Sequence, residues 1–233
     1  MRIRKTIFGR TKIKPNTFIG GVSATLNTPA LVAAKLGISV SRIKSFSIVG
    51  SDIQFAVIGD YIIKNSCFVN DTSITYYRDE ANLVTGIDGR AFRSCVSLTL
   101  IKTDNALFCG DESITNTKIS ELIFPNMLSF TGSYGSFRIN PELKKIDCPK
   151  VTSCSWSYSG IDLCPKLELV NLPKLSLLRG GTNTSNSNYV FTSSKIGFTL
   201  NVAAGALTSN TGNLDRDVSF AITNRNAIVN YIP

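Results

Sequence analysis

The sequence predicts a mixed α/β chain: an N-terminal basic arm, a small helix plus β-meander, then a short repeat solenoid with mainly β rungs. Three observations carry this reading. Pro125, Pro149 and Pro173 stand 24 residues apart, and each closes the same frame of apolar residues. Residues 1–51 hold nine Lys or Arg and no Asp or Glu. Between the charge cluster and the repeats lie helix-capping signals and a run of short β-type segments.

The arm comes first, over residues 1–20. Arg2, Arg4, Lys5, Arg10, Lys12 and Lys14 put six positive charges into 14 residues, while Gly9, Thr11, Pro15 and Asn16 argue against a regular helix. The rest of the chain holds sixteen charges of each sign, so the whole formal charge of +9 belongs to the N-terminal quarter. An extended basic segment is either a solvated tail or an anchor onto an acidic surface. The anchor reading makes those six residues the partner-anchoring set. A protein groove fits better than nucleic acid, because only Ile7 and Phe8 interleave the cations and no base-reading motif is present.

Residues 21–80 read as a small α/β mounting or capping domain. Thr28 and Pro29 are an N-cap and first helical residue, Ala30 to Leu36 favour helix, and Gly37 is a C-terminal stop. Ile43 to Val49, Ile53 to Ile58 and Tyr61 to Phe68 read as three strands of a meander, continuing through Ile74 to Tyr77 toward the repeats.

Residues 81–207 are the repeat array, and residues 208–233 are left as a C-terminal cap. The frames are Ile119, Leu122, Phe124, Pro125, Met127, Phe130, then Leu143, Ile146, Cys148, Pro149, Val151, Cys154, then Leu167, Val170, Leu172, Pro173, Leu175, Leu178. A fixed period of this length means units that bury their apolar edges by stacking. The alternation around each strand points one residue inward and the next outward, and the proline fixes φ and ends the strand. Leu122, Ile146 and Val170 should share one buried column. After Leu178 the frame fades into a polar stretch, and Ile196, Phe198, Leu200 and Val202 read as a capping strand.

The frame resembles the leucine-rich repeat, specifically its BspA-type variety, whose units run roughly I-x-x-x-A-F-x-x-C-x-x-L-x-x-I-x-L-P. Val84, Ile87, Ala91, Phe92, Cys95, Leu98 and Ile101 carry the closest copy, and Ile161, Cys164, Leu167, Val170, Leu172 and Pro173 a partial one. The first unit departs from the pattern: Asp104 stands in the proline position, and the offset to the next unit is 21 rather than 24. The resemblance implies a recognition surface, with no catalytic residue and no cofactor.

Several function classes are disfavoured by residue content. The chain has no histidine, hence no Ser-His or Cys-His pair and no imidazole-based zinc site. Phosphate-loop and dinucleotide-binding glycine patterns are missing, and no stretch approaches the roughly 18 apolar residues of a membrane span. Asp79-Glu80 and Asp111-Glu112 read as solvated loop charges. The six cysteines lack C-x-x-C spacing, and Cys95, Cys148, Cys154 and Cys164 fall on repeat positions, which predicts small buried side chains rather than a metal site. Cationic residues at the start without an apolar run behind them make classical secretion unexpected.

Tyr134, Trp156 and Tyr158 are the ligand-contact candidates, since aromatics on Gly/Ser-rich loops make adaptable contact surfaces. Phe137, close by, reads as core. The expected function is therefore a non-enzymatic structural or adhesive protein. It is best placed as a phage virion component of the tail or head, made in the host cytoplasm. Its arm would hold other structural proteins, and its repeats would meet a host-surface protein or glycan. The alternative is a free cytosolic or nucleic-acid-associated binding protein using the arm on phosphate.

Overall fold

The structure, a computed structural model, describes residues 13–21, 26–132, 134–154, 156, 160–175, 189–207 and 216–233. It is mixed α/β, mostly strand, with two α-helices among the described residues and three five-stranded sheets.

The chain runs β1 Thr17–Gly20, α1 Pro29–Leu36, β2 Ile43–Val49, β3 Asp52–Val57, β4 Tyr61–Ile63, β5 Tyr76–Asp79 and β6 Val84–Ile87. It continues through β7 Leu100–Lys102, β8 Phe108–Cys109, β9 Glu121–Ile123, β10 Ser129–Phe130, β11 Lys145–Asp147 and β12 Ser153–Cys154. The last elements are β13 Leu169–Leu172, β14 Thr199–Ala203, α2 Arg216–Arg225 and β15 Ile228–Ile232. Helix α1 forms as its caps dictate: Thr28 accepts from the Leu31 N–H, Pro29 opens the helix, and Gly37 ends it at φ 66°.

From β4 onward, apart from the antiparallel pairing of β5 with β1, the pairing is parallel and repeats. One line of strands joins Tyr77 to Ile101, and further along joins Leu122, Ile146, Val170 and Leu200 in order. Leu122, Ile146 and Val170 are fully buried in one column, as the proline spacing predicts. A second line joins Ile63, Ile87, Cys109, Phe130 and Cys154, again all buried. A third side has no strands among the described residues. There the chain turns, and backbone bonds tie each unit to the next: Phe68 N to Ala91 O, Phe92 N to Ser113 O, Ile114 N to Ser136 O and Phe137 N to Gly160 O, at 2.7–3.3 Å. Phe68, Phe92, Ile114, Phe137 and Ile161 fill the core behind these turns.

The prolines sit at the second position of β-turns, where φ near −65° is wanted. Met127, Val151 and Leu175 donate back to Phe124, Cys148 and Leu172, three residues earlier. Asp104 takes the same place in the turn closed by Ala106 N to Thr103 O, so the unit without proline keeps the corner.

Several expectations need correcting. The β-meander does not form: β2 and β3 are an antiparallel hairpin, but β3 pairs next with β1, and β4 leaves to start the second parallel line. The run Tyr61 to Phe68 is a strand only to Ile63, because inter-unit turn bonds take over at Ser66 and Phe68. Parallel stacking thus begins at Tyr61, ahead of residue 81. At the other end β14 is not terminal, since β15 pairs with it in parallel beyond residue 207. One apolar core runs without a break from Ile19 to Ala221, so residues 21–80 share it with the repeats.

Asp79 is not a solvated loop charge. It is fully buried at the end of β5, where it accepts from the Val84 N–H at 2.6 Å; burial pushes its carboxyl above the usual range while the backbone bonds pull it back. Glu112 is nearly buried and bridges Arg90 (3.2 Å) and Arg93 (2.9 Å) of the preceding unit.

Candidate recognition face

In a strand one residue faces the core and the next faces out, so the parallel registers align the outward side chains in rows. One row contains Tyr76 beside Leu100, and further along Glu121, Lys145 and Leu169. The next contains Arg78 beside Lys102, and further along Ile123, Asp147, Asn171, Asn201 and Asn230. The end of this second row is an amide ladder. Asn171 Nδ2 donates to Asp147 Oδ1 (2.8 Å), Asn201 to Asn171 (2.9 Å) and Asn230 to Asn201 (2.9 Å). At the other end, Arg78 lies over the rings of Phe18 and Tyr76 at 5.2 and 5.0 Å, and Glu80 bridges Arg78 and Lys102.

The face is interrupted once. β7 ends one sheet and β9 ends another, and the two strands face each other. They are tied at their extremities by Lys118 N to Leu98 O (2.9 Å) and by Asn126 Nδ2 to Asp104 O (3.0 Å). Between the ties opens a mainly apolar cleft of about 250 Å³, lined by Leu100, Ile101, Lys102, Asp104, Glu121 and Ile123. Leu100 and Ile123 are 42% and 44% exposed. The irregularity visible in the sequence, an offset of 21 with Asp104 for proline, falls at this break.

The aromatic candidates separate. Tyr134 is exposed, its backbone N–H donating to Asp111 Oδ1 at 2.5 Å. Trp156 is not a contact residue: it is fully buried, stacked on Phe130 with ring centres 5.0 Å apart and set edge-on to Phe137. Its indole N–H donates to Ser136 Oγ at 3.2 Å, which satisfies the one polar atom that would otherwise pull it outward. Gly160 makes room for it, since a Cβ there would stand 2.0 Å from the indole ring. That glycine was the available clue. Phe137 is core, as expected. Tyr158 lies outside the described residues, as do Arg2, Arg4, Lys5, Arg10 and Lys12; Lys14 is described and exposed.

The six cysteines are buried and free. Burial raises Cys95, Cys109 and Cys164 to about 12 and lifts Cys67 and Cys148 as well, so none of these five is poised as a thiolate nucleophile. Cys95 and Cys164 have a use that the sequence did not disclose: each thiol donates to a carbonyl of the preceding unit, Phe68 O and Phe137 O. Among the described residues no three His, Cys, Asp or Glu side chains group as a metal site, and no helix is long and apolar enough to cross a membrane.

No family model, curated protein or solved structure matches this chain.

Proposed function

We propose that this chain is a non-enzymatic binding protein, a short solenoid of BspA-type leucine-rich repeats that presents its outward strand rows to a protein or glycan. Its setting is a phage virion, as a tail or head component, and the basic arm holds it to acidic surfaces of neighbouring structural proteins. The observation that carries this reading is the aligned outward face. It combines an apolar cleft, a charged cluster at Arg78, Glu80 and Lys102, and an amide ladder, each able to contact a partner through rigid strands. Charge asymmetry supports the anchor: nine cations and no anion lie in residues 1–51. Exposed Tyr134 is a further contact residue on the loop side.

Two measurements test this. Removing residues 2–14 should abolish incorporation into the parent particle while leaving the melting temperature of the isolated chain nearly unchanged; normal incorporation would sink the anchor. The cation-rich start also favours a phosphate-binding reading, which predicts a steep log-log salt dependence of DNA binding. DNA affinity that is weak and shallow in salt keeps the protein-anchor reading, and a slope of several would replace it.

A further inference from the structure

The sheet that carries the amide ladder ends at β15, Ile228–Ile232, and no strand among the described residues pairs with the far edge of β15. Exposure marks that edge as open. Leu200 and Val202 of β14 are fully buried, while their register partners Val229 and Tyr231 are half-buried. Thr199 and Asn201 are half-buried, while their partners Ile228 and Asn230 are exposed, Ile228 by 61%. The backbone then sets what kind of neighbour fits. Ile228 N donates to Phe198 O at 2.9 Å, so in this parallel ladder Ile228, Asn230 and Ile232 turn their N–H and C=O toward β14. Val229 and Tyr231 turn theirs to the open side. An antiparallel neighbour uses both residues when a two-fold axis passes through Asn230: Val229 and Tyr231 of the two strands form hydrogen-bonded pairs, and Asn230 faces its own counterpart.

The residues of the two outer edges decide the occupant. Proteins blunt an edge strand with Lys, Pro or a bulge. β2, the edge strand at the N-terminal end, has exposed Lys44 and a bulge between Ile43 and Ser45. β15 reads IVNYI, with no charge, no proline and an unbroken register. Head-to-tail stacking would need the blunted edge, whereas a second β15 matches side chain for side chain. Ile228 meets Ile232 on the outward face, and Val229 meets Tyr231 across the half-buried end of the core, an apolar pairing with no like charges opposed. Each Asn230 amide donates to Asn201, so two Oδ1 atoms face each other across the axis, where one water can donate to both.

We infer that β15 is the seam of a two-fold dimer, in which two copies of this chain join sheet edge to sheet edge through antiparallel β15 strands centred on Asn230. The axis stands perpendicular to the sheet, so both outward faces lie on one side and the asparagine row runs on from one copy into the other. The seam uses neither the arm nor the cleft between β7 and β9.

The test begins with sedimentation equilibrium of the full chain, whose mass of 25.3 kDa should double as concentration rises. A five-residue seam is small beside the roughly 1,200 Å² of a stable complex, so the titration extends to about 1 mM. A chain still monomeric there overturns the proposal, and so does a mass that keeps growing past the dimer, which would mean head-to-tail stacking. Asn230→Lys and Asn230→Glu each set like charges opposite one another across the axis. Each variant alone should be monomeric with the parent's circular dichroism, and an equimolar mixture should restore a dimer holding one of each. A mixture that stays monomeric refutes the register, as does either variant dimerising like the parent. Asn230→Cys gives an independent reading, because Cα atoms of a non-hydrogen-bonded antiparallel pair stand about 4.5 Å apart, within disulfide range. The native cysteines are buried, so mild oxidation selects the introduced thiol. Its dimers should form about tenfold faster than those of Val49→Cys, a position 57% exposed on the other edge strand, since pairing raises the effective concentration. Equal rates would remove the seam.

Discussion

The strand sides and the turn side of this molecule solve the same problem by different means. On the strand sides, backbone ladders hold one unit to the next, and the core needs only an apolar residue at every second position, as in the column Leu122, Ile146, Val170. On the turn side, backbone bonds also run from unit to unit, but further carbonyls there accept from side chains. Short side chains answer them: Cys95 to Phe68 O, Asn140 Nδ2 to Ile114 O (2.8 Å), Cys164 to Phe137 O and Ser194 Oγ to Ile161 O (2.5 Å). Cys, Asn and Ser look unrelated as residues, yet all carry a donor at short reach. The strand sides therefore select for shape and apolarity, and the turn side for hydrogen-bonding capacity.

The strongest test of this contrast is Ile146→Asp. It places an unpaired charge at the centre of a fully buried apolar column, which should cost several kcal/mol and lower the melting temperature markedly. An unchanged melting temperature would disprove the register.

On the turn side the corresponding substitution is Asn140→Leu. Asn140 is fully buried and makes three bonds, accepting from Thr117 N and Oγ1 at 2.9 Å each and donating to Ile114 O. Leu is apolar and similar in size, so a core that wanted only volume would accept it. Losing these partners should instead cost about 2–3 kcal/mol, since each stranded buried group costs on the order of 1–3 kcal/mol and the terms are not additive. Cys164 sharpens the point. Cys164→Ser keeps a donor and should cost less than Cys164→Ala, for which about 1–2 kcal/mol is expected from the stranded Phe137 carbonyl. Equal losses would mean that packing alone sets the column.

This difference explains what was legible. Period, column and corner could be read because apolar spacing and proline record them directly, and α1 because both of its caps are chemically distinctive. The meander failed because alternation in Ile53 to Ile58 and Tyr61 to Phe68 shows that a run is extended without showing which sheet it joins. β1, with four residues, and the polar helix α2 left too little pattern to find. Of the site, the irregular offset at Asp104 was visible, but its consequence, a cleft between two sheet ends, depends on how strands 21 residues apart meet in space. The Gly/Ser context of Trp156 points outward, whereas the decisive fact is the close approach of Gly160 to its ring.

The smallest effect expected has the opposite sign. Asn70, Ser94, Asn116, Ile139 and Leu163 all adopt positive φ, between 55° and 60°, and their turn bonds put them in equivalent places of successive units. Asn tolerates this left-handed region, while a β-branched side chain crowds the backbone there. Ile139 is 38% exposed, so it gives up little burial if replaced. Ile139→Asn should therefore stabilise the chain by up to about 1 kcal/mol, which for a protein of this length raises the melting temperature by roughly 2–4 °C. If the variant melts lower than the parent, contacts of Ile139 outweigh its backbone strain, and the turn side depends on apolar packing at this position just as the strand sides do.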